Sequence, residues 1–565
     1  MALCHALATV SSLLMPYVMS GIVDDGIRTG SLDVIFISAG IMTALAALSL
    51  TASVVSNRIN AGVTTAFSAS VCRAVFGKIN SLSLGQYSRI GSSGLLTRAT
   101  DDIFNIEGMA SELVYTLVTV PMMLIGGAAL AFLSDWVLSL VFICFIPPVL
   151  LFVTLLVRPL YKMWDNADRY IDVQNRIVRE RLSGLRVVRA FNNEPREHKR
   201  AKHATEEMAK YIIKSNVRSG YITPVALLLL NVATVVMLWL GAVRADLGLV
   251  TDAGGVIAAI QYVTLVSNAI LTLSWTIAWI PHLRVSIGRI SEVLTLPKED
   301  ESADDLTETY VSEGGVSVEL RGVSFTYPDA SAPVLQGIDM NIGAGETVAI
   351  IGGTGSGKTT LVRLLLDFYT PDSGELLVGG RPYSEMKRSE ARAHYSAALQ
   401  RGMIFEGTLR DNIAMGRSDA PDSEIMAAAK DCALSEFISS KEEGLDFLLV
   451  GMGQNVSGGQ KQRINMSRAV LRAAPVYIFD DSFSALDYLT ERSIQDSLRV
   501  RLAGKTRIFV TQRVSTALAC RRIYVMDRGQ IVGSGTHREL IRSCPTYREI
   551  CISQLGTDAV EGGEA

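Results

Sequence analysis

Six apolar stretches, at 2–23, 32–57, 113–134, 136–157, 221–243 and 256–281, constrain this chain more than any other feature. Each reaches the roughly 20 residues that a helix needs to cross a hydrocarbon layer of ~30 Å. A soluble core rarely needs six such stretches. They account for a chain of 565 residues that is 49% hydrophobic with a mean hydropathy of +0.29, although its later half reads as an ordinary soluble domain. Between 113 and 157 the only charge is Asp135, which predicts two helices joined by a tight hairpin.

The connecting segments alternate in basic residues, and cytoplasmic loops carry the excess of Lys and Arg. Segment 24–31 has only Arg28, the Ser134-Asp135 turn has none, and 244–255 has only Arg244. Segment 58–111 carries Arg58, Arg73, Lys78, Arg89 and Arg98, and 158–220 is dense in Arg and Lys. The two long segments are therefore expected in the cytoplasm. The run from Arg179 to Arg189 has three readings on composition alone: a nucleic-acid patch, an amphipathic surface helix or a solvated basic face. Its place between two spans favours neither of the first two.

The soluble half announces itself at Gly352-Gly353-Thr354-Gly355-Ser356-Gly357-Lys358-Thr359, followed by Thr360. This matches the phosphate-loop pattern GxxxxGK[ST], with an apolar strand at 348–351 before it and a helical run at 361–368 after it. Glycines let backbone N–H groups close around phosphates, Lys358 supplies a point charge, and the Thr359 hydroxyl suits magnesium. ATP and Mg2+ are the expected ligands.

About a hundred residues later stands Ser457-Gly458-Gly459-Gln460, opening a basic helix from Lys461 to Arg472. It resembles the signature motif of the ATP-binding cassette (ABC) family, whose cassettes pair head to tail with each ATP between the phosphate loop of one copy and the signature of the other. A helix N-terminus suits that role through its free amides and dipole. The resemblance implies that Tyr327 stacks on adenine, that Gln400 senses magnesium and the membrane domain, and that Ser484-Ala485-Leu486-Asp487 forms the loop crossing to the partner. It also implies that residues 184–191 hold the short helix docking into the partner's cassette, with 91–102 as the matching part of the first loop. The family usually has an interfacial elbow helix before its first span. None is present here, and a trimmed chain, an alternative start and a short natural terminus all stay open.

The catalytic positions depart from the family. Strand 476–479 ends in Asp480, the position that contacts magnesium, but the next residue is Asp481 where glutamate polarises the attacking water. Aspartate shortens the reach by one bond, about 1.5 Å. A misplacement of ~1 Å can cost roughly a hundredfold in rate. After strand 507–511 the family's histidine is replaced by Gln512, which donates a hydrogen bond but cannot carry an imidazolium charge. The segment 450–454 also lacks the usual Glu-Arg pair before the signature. Drift in a slow but working ATPase is one reading. The other is a degenerate site that binds ATP with little hydrolysis, while the intact signature completes the competent site of a different chain.

The expected fold is therefore an α-helical membrane domain of six spans, 1–296, and a linker, 297–315. An α/β phosphate-loop ATPase, 316–555, and a disordered tail, 556–565, complete it. The chain resembles a half-transporter of the exporter type, and it needs a second half-transporter, expected to be a different chain. The implied function is ATP-driven export of amphipathic or hydrophobic compounds by alternating access, in a bacterial inner membrane. Gln261, Asn268 and Trp275 on the sixth span are candidate cavity residues, with helix packing and interfacial anchoring as competing roles. Three rivals remain: an importer of metal chelates with the same fold, an ATP-gated channel or regulatory subunit, and a soluble ATPase acting on DNA or ribosomes. The spans argue against the last, and the net charge of −3 gives no sign of a nucleic-acid partner. The seven cysteines show no CxxC pairing, so disulfides and structural zinc are not expected.

Overall fold

The computed structural model describes residues 1–247, 253–299, 314–328 and 330–557. Most of the expected linker and all but two residues of the expected tail lie outside the described residues. By its contacts the chain divides into two units, Met1–Gly77 with Ser93–Thr295, and Lys78–Ser92 with Leu296–Ala565.

The first unit is helical. It contains α1 (Ala2–Gly21) and α2 (Leu32–Asn80), and α3 (Leu84–Ile90) follows in sequence within the second unit. Next come α4 (Ser92–Ala99), α5 (Asp101–Ser134), α6 (Trp136–Ser183), α7 (Leu185–Ala190), α8 (Glu194–Gly220), α9 (Ile222–Asp246) and α10 (Ala253–Thr295). Among the described residues five helical segments are long and apolar enough to cross a membrane: Ala2–Ile27, Leu32–Asn80, Ser92–Ser134, Leu227–Arg244 and Ala253–Thr295. The remaining stretch, 136–157, lies within α6. At about 1.5 Å per residue the 49 residues of α2 run roughly 70 Å, far beyond a ~30 Å hydrocarbon layer. The long helices therefore carry their own extensions outside the membrane.

The predicted hairpin turns on Asp135 alone. Its Oδ1 accepts the N–H groups of Val137 and Leu138 at 2.9 and 3.1 Å, capping α6. Arg244 Nη1 donates to both Asp135 oxygens at 2.8 and 2.7 Å, so the basic residue missing from that turn arrives from the end of α9. Asp24 Oδ1 likewise accepts the Gly254 N–H at 2.8 Å, near the start of α10. Close approach of α5 to α1 and α10 rests on glycine. A Cβ on Gly126 would stand 2.9 Å from Leu13, and one on Gly127 2.7 Å from Val266. Polar contacts continue this seam, with Thr116 beside Thr276 at 3.1 Å and the Ser286 hydroxyl donating to Asp102 Oδ1 at 2.7 Å.

The second unit holds a six-stranded sheet in the order Gln530–Gly535, Arg522–Asp527, Thr347–Gly352, Thr506–Thr511, Val476–Asp480 and Tyr395–Ala398. All neighbours pair in parallel except the first two. Parallel strands covered on both faces need continuous apolar runs. Val348, Ala349, Ile350 and Ile351 meet that demand at 0% exposure. A four-stranded antiparallel sheet, ordered Leu335–Ile342, Val318–Phe325, Ser373–Val378 and Arg381–Pro382, shares a core with it through Val323, Ile338, Ile350 and Leu365. The register aligns Val510 with Asp480 and Thr511 with Ile351. Loops far apart in sequence thus leave the carboxyl ends of neighbouring strands, where open α/β sheets bind their ligands.

One boundary differs from expectation. The helix after the phosphate loop, α11 (Lys358–Leu365), starts and ends three residues early. Gly357, at φ +101°, makes the entry turn, and Asp367, at φ +50°, follows the exit. The first loop carries one short helix within the expected 91–102, α4, and another upstream of it, α3. A reciprocal capping box between Ser83 and Gln86 opens it and Gly91, at φ +78°, ends it.

Candidate functional site

A cleft of about 240 Å³ opens at the carboxyl ends of the central parallel strands. Phosphate-loop residues 354–360 form one side, and Gln400, Asp480, Asp481 and Gln512 face them. Gly352 cannot be replaced without movement, because a Cβ there would lie 2.2 Å from Met526 O. Gly353 lies exposed beside it, and Gly355 takes φ +82°, a conformation that favours glycine. The buried Lys358 ammonium donates to Gly352 O at 2.7 Å, Gly353 O at 2.8 Å and Ser356 Oγ at 3.3 Å, a closed loop around one cation. Burial pushes the Lys358 amine below its usual range, with Asp480 and Asp481 acting against that. Thr359 is exposed to the cleft, whereas Thr360 is buried and meets the Tyr327 hydroxyl at 3.1 Å.

Tyr327 stands among other aromatic rings. It meets Tyr369 edge-on at 5.3 Å and Phe325 at 5.0 Å, and Arg363 Nη1 donates to its hydroxyl at 3.0 Å. One ring is thereby held beside the phosphate loop.

The acidic pair follows directly from the strand. Asp480 closes Val476–Asp480 and is 4% exposed. Burial, then the neighbouring Asp481 charge, push its carboxyl up to about 6. A divalent cation would relieve that repulsion, so the donor set fits magnesium on chemical grounds. Asp481 turns out of the strand at φ +48°, and Gln400 Nε2 donates to its Oδ2 at 3.3 Å. Thr354 Oγ1 donates to Gln512 Oε1 at 3.4 Å, joining the loop after strand Thr506–Thr511 to the phosphate loop.

Ser457 caps the helix Gly458–Leu471 by a capping box with Gln460, Ser457 Oγ accepting at 3.2 Å and Gln460 Oε1 at 2.8 Å. Ser457 and Gly458 are exposed, leaving the helix N-terminus open, and Gly459 lies close to Ala485 O. The loop 484–487 is bound to this helix: Gln462 Nε2 donates to Ser484 Oγ at 2.9 Å and Gln462 Oε1 accepts the Ala485 N–H at 3.0 Å. Asp487 caps the helix Tyr488–Arg501 through the Thr490 N–H at 3.0 Å, and those bonds hold its carboxyl low.

One group escaped the sequence reading. Arg513 donates to Ser484 O at 2.8 Å, to Leu486 O at 3.2 Å and to the buried Glu491 at 3.0 Å. It ties the Gln512 loop to the loop 484–487. No local pattern marks a pair 22 residues apart.

The candidate cavity residues lie on α10, away from these loops in sequence. Gln261, Asn268 and Trp275 recur every seven residues and so share one helix face. Gln261 is half-buried, Asn268 and Trp275 are exposed, and Trp275 packs edge-on against Trp279 at 6.3 Å.

Comparison with known proteins places these features in context. The family described as ABC transporter transmembrane region matches residues 1–270, and the one described as ABC transporter matches residues 335–484. An ABC transporter ATP-binding protein of Mycobacterium bovis is 33% identical over 558 residues, 98% of this chain and 95% of that one. An ATP-dependent lipid A-core flippase of Hahella chejuensis is 32% identical over 463 residues, 80% of this chain and 77% of that one. The structure of a bacterial Atm1-family ABC exporter with ATP bound superposes with TM-score 0.83, covering 97% of this chain and 96% of that one at 24% identity. This last likeness shows the fold.

Proposed function

Because this chain belongs to the ABC transporter family, whose ATPase is coupled to transport, we propose that it is the degenerate-site half of a heterodimeric exporter. Its own site binds ATP and turns it over slowly, and its Ser457-Gly458-Gly459-Gln460 helix completes the competent site of a different half-transporter. One observation carries this reading. Asp481 occupies the position of the general base with a short carboxylate hydrogen-bonded to Gln400, while the signature helix keeps its capping box and open N-terminus. Gln512, in place of an imidazole, supports it.

When bound, ATP with magnesium supplies the phosphate and metal charge that this cleft is built around. Lys358 and the loop from Gly352 to Thr360 would hold the phosphates, Tyr327 the base, and Thr359, Gln400 and Asp480 the metal. The exposed helix α7, with Val187 at 61% and Phe191 just beyond it at 79% exposure, is suited to dock on the partner's cassette.

The cargo we propose is amphipathic or hydrophobic, and the membrane a bacterial inner membrane. No Asp, Glu, Lys or Arg lies in the central parts of the spans, which disfavours a proton relay. Relatives named as lipid A-core flippases support a lipid-like substrate class. The α10 face bearing Gln261, Asn268 and Trp275 is a candidate surface for it. Asn268→Leu should then shift substrate preference while basal ATPase persists. Unchanged transport of every accepted compound would remove Asn268 from the cavity.

The test of the whole reading is ATP hydrolysis by this chain alone in lipid, against the same chain purified with a second half-transporter. Activity only in the pair, abolished by Glu→Gln at the partner's base and largely retained with Asp481→Asn, is the expected result. Robust turnover of the chain alone, lost with Asp481→Asn, would instead make it a homodimer using Asp481 as base. A weak ATPase also suits an ATP-gated channel, which would pass its solute down a gradient without turnover.

A further inference from the structure

Four residues beyond the end of α10, Glu299 lies at the centre of a junction that the export reading does not explain. It is held by two arginines of α12 (Arg388–Ala393). Arg392 Nη1 donates to Glu299 Oε2 at 2.8 Å and Nη2 to Oε1 at 2.8 Å, a fork on one carboxylate. Arg388 Nη1 approaches the same carboxylate at 3.5 Å. The Glu299 side chain is 16% exposed, so this is not an ion pair loosely hydrated at the surface.

The same arginines grip the end of the phosphate-loop helix. Arg392 Nε donates to Leu366 O at 3.2 Å and Nη2 to Asp367 O at 2.7 Å, and Arg388 Nη1 donates to Asp367 O at 3.1 Å. Those carbonyls lie at the C-terminal exit of α11, where cations complement the helix dipole. Lys358 begins that same helix. Its eight residues make a rigid bar of roughly 12 Å between phosphate loop and arginines.

Glu299 also reaches the first loop through its backbone. Its N–H donates to Ser81 O at 2.9 Å, and Gln86 Nε2 of α3 donates to Pro297 O at 3.2 Å. A second, aromatic route ends at α3. Tyr327 packs edge-on against Tyr369 at 5.3 Å, and a Cβ on Gly85 would lie 3.6 Å from Tyr369 Cε1. Both the phosphate end and the ring end of the nucleotide site therefore lead to α3, which continues into α2 and α4 along the chain.

We infer that Glu299 is a positioning residue that joins the phosphate-loop helix to α3 and to the chain leaving α10, so that ATP occupancy reaches the membrane helices of this same chain. The route is distinct from Gln400 and from the partner-docking α7. It rests on the ATP-binding reading of the cleft, and what it adds to the first loop's expected part in transmission is Glu299 as the residue that holds the junction.

The test is hydrogen–deuterium exchange on the full chain in lipid nanodiscs, with and without MgATP, in the assembly that hydrolyses ATP. In the parent protein MgATP should slow exchange at residues 83–90 as well as in the phosphate loop. Glu299→Gln should reduce the MgATP effect at 83–90 at least about fivefold, the low end of usual site-to-site coupling. ATP affinity should stay within about twofold of the parent, as for sites that do not touch. Persistence of the response at 83–90 in Glu299→Gln overturns the inference, and so does its absence from the parent. Loss of ATP binding together with melting temperature would mark Glu299 as a structural staple only, and also overturns it. If Glu299→Gln does not fold, Arg392→Lys decides by the same two readouts, since it keeps the charge and loses the fork. Failure of the parent to bind ATP at all is a separate outcome. It removes the reading of the cleft, and the inference with it.

Discussion

Gln400 Nε2 donates to Asp481 Oδ2 across 3.3 Å, so the loop after strand Tyr395–Ala398 already engages one oxygen of the carboxylate that follows Asp480. Both are exposed or half-exposed, and Asp481 holds φ +48° to present that oxygen. Restoring the missing methylene is the direct probe. Asp481→Glu combined with Gln512→His should raise hydrolysis at this chain's own site by about 10- to 100-fold, the cost attached to a misplacement near 1 Å. Single-turnover assays on the pair carrying an inactivated partner base report it. An unchanged rate would mean that the slow step lies elsewhere.

Removing the buried ammonium tests ATP binding itself. Lys358→Ala deletes a charged donor of the kind worth ~1.5–3 kcal/mol. Titration with a fluorescent ATP analogue should show affinity falling by roughly 10- to 150-fold. Far-UV circular dichroism should be unchanged.

The raised Asp480 carboxyl has a definite consequence for pH. A carboxyl that sits at about 6 when folded is ionised reluctantly. Against an unfolded value near ~3.9, its penalty is absent at low pH, grows between about pH 4 and 6 and is complete above. Asp480→Asn should therefore stabilise the nucleotide-free protein at neutral pH by up to ~3 kcal/mol, at about 1.4 kcal/mol per unit. The difference should vanish below about pH 4. Thermal melts across that range, without nucleotide or divalent cations, measure it. Magnesium with ATP should reverse the advantage, because the parent carboxylate gains a cation.

Glu491 is 2% exposed and accepts from Arg513 at 3.0 Å, from Thr516 Oγ1 at 2.5 Å and from Gln495 at 3.0 Å. Glu491→Ala strips Arg513 of its carboxylate. The cost should be about 3 kcal/mol, the low end for a broken buried pair, because Arg513 keeps some contact with water. The loop 484–487, whose carbonyls Arg513 holds, should loosen with it. Denaturant unfolding reads the first effect, and faster amide exchange at 484–487 the second.

The elements legible in the sequence were those written in adjacent residues. The phosphate loop shows because Gly355 and Gly357 sit where φ is positive. The signature shows because a Ser and Gln three apart make their own capping box. The hairpin shows because one aspartate interrupts a long apolar run and caps the helix after it. Boundaries were less legible. The exit of α11 depends on Asp367 adopting φ +50°, and the helix Leu84–Ile90, set by Ser83, Gln86 and Gly91, was not anticipated beside the expected 91–102. Pro297 and Glu299, at the start of the expected linker, are anchored by hydrogen bonds that no local pattern announces.

What the sequence determined by itself is the plan: apolar helices long enough for a bilayer, an α/β ATPase, a phosphate loop, and an aspartate after Asp480 and a glutamine after Thr511 where the family resemblance implies catalytic groups. These follow from local rules, since hydrophobic length, backbone conformation and side-chain reach are properties of consecutive residues. Tertiary structure decided the pairings that make the parts work as one: Asp135 with Arg244, Arg513 with Glu491, and Glu299 with Arg392. Many charged residues were available to each, and a carboxylate selects among them only after packing has removed water and brought one guanidinium within hydrogen-bonding distance.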